Sequence, residues 1–322
     1  MVELVIDNKN GMMWNISAIA ADIEWKTSRI GKPGSLSFTL IKGAIYQSVD
    51  FQYHNGDIVR FRFGDRDVFY GYIFSIDGGK DENVSIVAYD QIRYLLTTDT
   101  YVLKNVTASD VVRQIAADTE LAVGRLDDTG YKIPTMIEDG RKLLDIICKA
   151  LDLTLIHTGR NFFLYDDFGS LSVRNVEDLL LDFIVGDGSL MTDFSIKTSI
   201  DSDTYNRVKL VQDNKDTGHR DVYIALDSAN IAKWGRLQFY QKVDDNRNEA
   251  QIKELLDNLI TLKNRETRSM RVEAIGDIRI RAGCYARVLI AEYGINQPFL
   301  VDECSHRFEG ADHTMTLELK VI

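Results

Sequence analysis

Cysteine is scarce in this sequence, and Cys148, Cys284 and Cys304 are the whole supply. An odd number without CxxC spacing excludes a disulfide framework and a zinc knuckle, and it fits a reducing compartment. Long apolar runs are missing too. No stretch reaches the length of a bilayer-spanning helix, and the opening MVELVIDNKNG carries charges where a secretory leader has its apolar segment. The expectation is a protein made in the cytoplasm, without a signal peptide and without a membrane partner. Basic charge is also short: 38 Lys and Arg face 49 Asp and Glu, a formal charge of −11 that repels phosphate and anionic lipid. Specific nucleic-acid binding is therefore not expected. Arg268, Arg271, Arg279, Arg281 and Arg287 do cluster late in the chain, and the simplest reading pairs them with the surrounding carboxylates.

What is present is globular composition, 45% hydrophobic and 27% charged. At 322 residues the chain is too long for one ordinary core and suits two or three domains. Up to about residue 105 the pattern is alternation, as in Ser35-Leu36-Ser37-Phe38-Thr39-Leu40 and Ile58-Val59-Arg60-Phe61-Arg62-Phe63. That period of two marks half-buried antiparallel strands, and about six of them would close a first barrel-like domain over 1–105.

The pattern changes at Thr107, where Thr107 and Asp110 can cap a helix bearing Val111, Val112, Ile115 and Ala116 on one face. A second helix is expected from Asp139 through Leu143, Leu144, Ile147, Cys148 and Leu151, which makes Cys148 a core residue. Short strands are expected at 153–157, 161–165 and 170–173, so residues 106–176 read as a small α+β domain without a glycine fingerprint. From 177 to 322 alternation returns, with one continuous strand expected over 182–200. A single inserted helix at about 246–265 is opened by Asn246 and Glu249 as a capping box. The fold class expected is mainly β with α+β: two β-barrel-like domains flanking a small α/β module.

The two β regions resemble one another. Gly79-Lys80-Asp81 leading to Ile86 parallels Gly310-Ala311-Asp312 leading to Leu317, and Gly56-Asp57-Ile58-Val59-Arg60-Phe61 parallels Gly283-Cys284-Tyr285-Ala286-Arg287-Val288. Order and spacing agree, which reads as an internal duplication of one barrel.

Catalytic chemistry is hard to place. Cys304 and His306 share a strand face and offer the one conceivable nucleophile and base, but no orienting group or oxyanion site accompanies them, and packing is the simpler reading. The loop 213–219 is rich in oxygen, yet Lys215 stands where a calcium loop needs a ligand, so a solvated turn fits better. No catalytic, cofactor-binding or metal-ligating residue is assigned. Trp25 alternates with Ile23 and belongs in a core. Trp14, beside Met12 and Met13, and Trp234 are the candidates for a partner interface, although burial within the chain is the simpler reading for both tryptophans.

The ordered series Gly56-Asp57-x-Val59, Phe69-x-Gly71-x-Ile73, Ala88-Tyr89-Asp90-Gln91-Ile92-Arg93-Tyr94-Leu95 and Thr107-Ala108-Ser109-Asp110 resembles the XkdQ/YqbQ family of prophage and phage-tail-like particles, relatives of the late control protein D group of baseplate hub proteins. The resemblance continues through Tyr165-Asp166-x-x-Gly169, Gly186-Asp187-Gly188-Ser189-Leu190, Ser199-Ile200-Asp201, Thr204-Tyr205-Asn206-Arg207-Val208 and Leu300-Val301-Asp302-Glu303-Cys304-Ser305-His306 to His313-Thr314-Met315. It implies a structural hub subunit of a contractile tail or tail-like bacteriocin, with no cofactor. Such a subunit forms a trimeric ring between tail tube and central spike, its two barrels per chain giving six near-equivalent positions. A tail-associated peptidoglycan hydrolase is the alternative, with Cys304 and His306 as its dyad.

Overall fold

The computed structural model describes residues 2–43, 47–214, 218–244 and 247–320. The early alternating segments form β1 (Val2–Asp7), β2 (Met13–Asn15), β3 (Ala20–Ser28), β4 (Ser35–Ile41), β5 (Ile58–Phe63), β6 (Arg66–Gly78) and β7 (Asn83–Tyr89). The middle of the chain holds β8 (Thr98–Val106), α1 (Ala108–Asp118), β9 (Val123–Leu126), β10 (Ile133–Lys142), α2 (Leu143–Thr158), β11 (Phe162–Asp166) and β12 (Leu171–Asn175). Then come β13 (Leu180–Gly186), β14 (Met191–Ser199), β15 (Arg207–Asp213), β16 (Arg220–Leu226), α3 (Ser228–Trp234), β17 (Gln238–Lys242) and α4 (Glu249–Lys263). The chain finishes with β18 (Thr267–Ile275), β19 (Tyr285–Ile290), β20 (Ile295–Glu309) and β21 (Asp312–Lys320).

The class is mainly β, with several sheets, but the barrels are not separate. Among the described residues thirteen strands form one sheet in the order β14-β18-β21-β20-β3-β4-β7-β6-β5-β1-β2, with β13 and β19 branching from β20. Each half curls over its own core. Leu4, Ile6, Trp25, Leu36, Phe38, Phe61 and Ile86 fill one, and Met270, Val272, Ala286, Val288, Val301 and Leu317 fill the other. Among the described residues neither half closes into a complete ring, because β3 pairs onward with β20.

The two halves repeat one topology. Taken in chain order, six strands of the first half (β1, β3, β4, β5, β6, β7) pair as β1-β5-β6-β7-β4-β3, and six of the second (β13, β14, β18, β19, β20, β21) pair as β13-β19-β20-β21-β18-β14. First, fourth, fifth, sixth, third, second is the order in both. The agreement reaches single residues. Gly56 N–H donates to the Ile73 carbonyl and Gly283 N–H to that of Val301, and the two glycines have φ of +90° and +89°. A backbone position in the left-handed region suits glycine. A bulge follows at Phe74 in β6 and at Asp302 in β20. Lys26-Thr27-Ser28 of β3 and Lys197-Thr198-Ser199 of β14 occupy matching positions and have the same sequence. One difference stands out: β1 runs antiparallel to β5, whereas β13 runs parallel to β19.

Several local expectations are corrected. Residues 153–157 are the end of α2 rather than a strand, since nothing breaks the helix before Gly159, whose φ of +69° caps it. Asp139 does not start that helix; it lies in β10, which pairs with β8. The expected single strand over 182–200 divides at a turn where Gly188 has φ of +71°. Asn246 lies outside the described residues, and the capping box of α4 is made by Asn248 and Gln251. Thr107 and Asp110 form the expected box on α1.

The middle core joins α1 and α2 to residues of β8 and β10, so Tyr101 and Leu103 pack with Met136, Ile146 and Ile147 rather than with the first sheet. Between β14 and β18 the insertion is larger than one helix. A sheet of order β16-β15-β17 carries α4 on a core of Val208, Leu210, Ile252, Leu255 and Leu259. Asn258 of α4 also donates to the Ile156 carbonyl at 2.8 Å, which ties the insertion to the middle module.

Candidate functional site at the seam of the repeated sheets

The two halves meet where β20 leaves β19 and continues along β3, in the antiparallel register Glu303↔Ser28, Cys304↔Thr27, Ser305↔Lys26, His306↔Trp25, Arg307↔Glu24 and Phe308↔Ile23. Residues of alternate parity face opposite sides, so this one register makes two surfaces.

The outward side is charged. Glu24 accepts from Ser305 Oγ at 2.9 Å and lies 2.7 Å from Lys26 and 3.5 Å from Arg307. Burial works against its charge, but hydrogen bonds from Lys26 and Ser305 outweigh that and hold its carboxyl below the ordinary range. Beside it Lys32 pairs with Glu303 at 2.7 Å and Arg29 with Asp302 at 3.0 Å. Glu24, Lys26, Lys32, Glu303 and Arg307 border a groove of about 900 Å³ that also takes in Arg271, Glu273 and Glu318. Arg271 is thus paired with carboxylates, at 3.4 Å from Glu273 and 3.2 Å from Glu318, and Arg279 likewise with Asp277 at 2.6 Å. That is the pairing expected for two of the five late arginines; Arg281 instead donates to a backbone carbonyl, that of Asp166, and Arg287 to Asn296 Oδ1.

The inward side is buried. The His306 ring stacks on Trp25 with centroids 5.0 Å apart, and both are buried. Phe308 reaches into the first core and meets Phe61 edge-on at 5.0 Å. Thr27 Oγ1 accepts the Ala282 N–H at 2.9 Å.

The Cys304 and His306 pair is brought together, with Sγ 3.1 Å from Nε2, but its chemistry is that of a core. His306 Nε2 is 2.8 Å from the Ile280 carbonyl, so that nitrogen carries the proton, and Nδ1 accepts from His313 Nε2 at 3.0 Å. The nitrogen facing the thiol therefore has no lone pair with which to act as a base. Burial pushes the Cys304 thiol well above its ordinary value. Burial, helped by His313, lowers His306 to about 4. Thiol and imidazole are both neutral and both sealed from solvent. Among the described residues no three His, Cys, Asp or Glu side chains are grouped to hold a metal ion. No helix among them is long and apolar enough to cross a membrane.

A model of the YQBQ-like family matches residues 23–320. The chain belongs to the YQBQ-like family. The protein YqbQ of Bacillus subtilis strain 168 is 30% identical over 324 residues, covering 99% of this chain and 96% of that protein. XkdQ of the phage-like element PBSX, from the same strain, is 29% identical over 307 residues, covering 94% and 93%. Among solved structures, the 43 kDa tail protein of prophage MuSo2 from Shewanella oneidensis has a TM-score of 0.71 at 14% identity, covering 98% of both chains. The fold is thus that of a phage tail protein.

In this YQBQ-like chain, several of the segments behind the family resemblance are turns and junctions. Asp90 accepts from the Gly34 N–H at 2.8 Å and the Ile92 N–H at 3.0 Å, closing the end of β7. Burial, reinforced by the charge of Asp166, drives its carboxyl well above the usual range. Asp166 is itself pushed up to about 6 by burial and accepts from the Gly169 N–H at 2.6 Å. Arg281 lies over the Tyr165 ring at 4.1 Å and donates to the Asp166 carbonyl at 3.1 Å. This junction of three segments was invisible in the sequence, where acidic residues are too common to select a pair. Asn206 accepts from Leu237 N–H and donates to the Gly235 carbonyl, fixing the insertion.

The interface candidates are scattered. Met12 and Met13 are exposed at 47% and 62%. Trp14 is half-buried, donating from Nε1 to Asn8 Oδ1 at 2.6 Å and packing edge-on against Phe51. Trp234 ends α3, half-buried beneath the Lys233 ammonium. In the oxygen-rich loop, residues 215–217 lie outside those described, and the Asp213 carboxylate is held by Arg220 at 2.8 Å and Lys242 at 2.5 Å.

Proposed function

We propose that this chain is a structural subunit of the baseplate hub of a contractile phage tail or tail-like particle, joining the tail tube to the central spike as a ring of three copies. The observation that carries this is the repeat of one six-strand order within a single chain. Three copies then present six near-equivalent units to a sixfold tube and threefold symmetry to a spike. In this reading the domains are 1–105 and 177–322, one for each repeated unit, with the α+β domain of about 106–176 between them. Exposed Met12 and Met13 offer contact surface to a neighbouring tail protein, with Trp14 behind them and Trp234 on the insertion. The subunit is synthesised in the host cytoplasm and incorporated into the particle. Light scattering of the chain mixed with its spike protein tests this: three copies of the chain per complex are expected, and a stable one-to-one complex counts against the ring.

Its role is structural rather than enzymatic. A hydrolase built on Cys304 and His306 would need a proton acceptor that the His306 Nε2 to Ile280 bond removes. Zymography on purified peptidoglycan is expected to show no clearing, and clearing abolished by Cys304→Ala would sink this reading.

A further inference from the structure

The seam inside the chain joins the second strand of one unit, β3, to the outer half of the fifth strand of the other, β20. The repeat leaves the reciprocal pair of edges open. β14 is the second strand of the second unit, and it bonds β18 on one side and, among the described residues, nothing on the other. β6 is the fifth strand of the first unit. Up to Tyr72 it pairs with β5 on the side where, beyond the bulge at Phe74, residues 75–78 meet no strand among the described residues. From the geometry we infer that β14 of one copy adds to this half of β6 in a second copy, reproducing the internal seam between chains. The proposal deepens the ring reading and rests on it, since head-to-tail addition of copies is what closes a ring.

The repeat fixes the register. Carrying β3 onto β14 and β20 onto β6 turns Glu303↔Ser28 into Ser75↔Ser199, Cys304↔Thr27 into Ile76↔Thr198, Ser305↔Lys26 into Asp77↔Lys197, and His306↔Trp25 into Gly78↔Ile196. The side chains suit it. Asp77 and Lys197, opposite charges, stand directly across from one another, and both are exposed and, among the described residues, without an ion pair. Ile196 is 36% exposed where its counterpart Trp25 is 4% exposed beneath His306, so the open edge carries an apolar side chain at the position the internal seam covers. Thr198 corresponds to Thr27, and Asn55, next to Gly56, corresponds to Ala282, whose N–H the internal threonine accepts. An unpaired edge with its ladder groups free is a template for strand addition.

The test mixes a chain carrying Ser75→Cys with a chain carrying Ser199→Cys, together with the spike protein, under mild oxidation. A disulfide-linked pair of twice 36.6 kDa is expected, absent from the parent protein and from a mixture of Ser75→Cys with Ser195→Cys, which the register sets too far apart for a disulfide. Lys197→Asp in the Ser199→Cys copy should slow cross-linking about fivefold, and Asp77→Lys in the other copy should restore it. Sedimentation of the same samples separates the failures. Assembled complexes without the Ser75 to Ser199 cross-link overturn the edge pairing and leave the ring standing. Protein that stays monomeric beside the spike overturns both. Cross-linked open chains of mixed length support the pairing and overturn the closed ring.

Discussion

Phe308 belongs to a strand of the second repeated unit, yet its ring sits edge-on against Phe61 in the core of the first, 5.0 Å between centroids. It also stacks on His313 at 4.2 Å and lies 5.2 Å from Phe63. The side chain locks two curled sheets together from the inside. Phe308→Ala should cost about 3 to 5 kcal/mol, with both units losing protection together. Arg307→Ala, on the outward side of the same strand, should cost under about 1 kcal/mol. Urea unfolding with hydrogen exchange on the two variants checks both values.

Leu300 is fully buried among Phe163, Tyr165 and Val176, where the middle module meets the last sheet. Leu300→Ala should cost on the order of 2 to 5 kcal/mol and lower the yield of assembled particles. Cys304→Ala, removing one sulfur from a packed site, should be much milder. His306→Ala would be harmless only if the ring were loosely held, and its stacking on Trp25 and two hydrogen bonds show that it is not. That variant should therefore reduce assembly along with stability. Selective loss of wall-degrading activity from normally assembled His306→Ala particles would revive the enzyme.

His306 and His313 are both lowered to about 4, chiefly by burial, from the ordinary 6.5. In that window the unfolded chain binds more protons than the folded one, so stability rises with pH. Their contribution is complete above about 6.5 and disappears as the pH falls toward 4. For His306 the shift corresponds to roughly 3 kcal/mol. Urea midpoints measured from pH 7 down to 4.5 should fall, and fall less steeply in a His313→Gln variant.

Asp166 acts in the opposite sense. Burial raises it from 3.8 to about 6, so the folded state holds a proton that the unfolded state releases, and stability drops as the pH rises from about 4 to 6. Asp166→Asn should flatten that decline while leaving the histidine slope in place. Equilibrium unfolding at half-unit pH steps would show it, and an unchanged profile would exclude the junction as its source.

Gly56 and Gly283 share a backbone conformation but not a neighbourhood. A Cβ at Gly283 would meet the Phe163 ring at 2.1 Å, whereas one at Gly56 has its nearest neighbour at 3.9 Å. Both alanine variants should lose about 1 kcal/mol or more to backbone strain. Gly283→Ala should lose considerably more, as a lower denaturation midpoint would reveal.

The strands were legible because alternation is a property of neighbours, and Leu36, Phe38 and Leu40 do face one core as their spacing demands. The duplication was legible because glycine turns such as those at Gly56 and Gly283 survive as local signals. The seam was not. Pairing between residues as far apart as Glu24 and Ser305 leaves no periodic trace, and His306 reads the same on an open strand or against Trp25. Helix ends failed for a related reason: residues 153–157 alternate in a way both periods allow, and the choice was made by the core beneath α2. Cys304 and His306 were correctly paired in space, but their silence as chemistry depended on the Ile280 carbonyl, which belongs to another segment.

Ser305 and Glu24 bond across 281 residues of sequence, and that separation sets a timetable for the nascent chain. At ordinary rates of synthesis β3 waits roughly 15 to 55 seconds for the strand that covers it. Until then Trp25 lacks its stacking partner and the first sheet has an open margin, free to capture the wrong neighbour. Completion of the oldest part of the molecule is thus postponed to the newest, and chains truncated before residue 303 would carry a folded but unsealed first half.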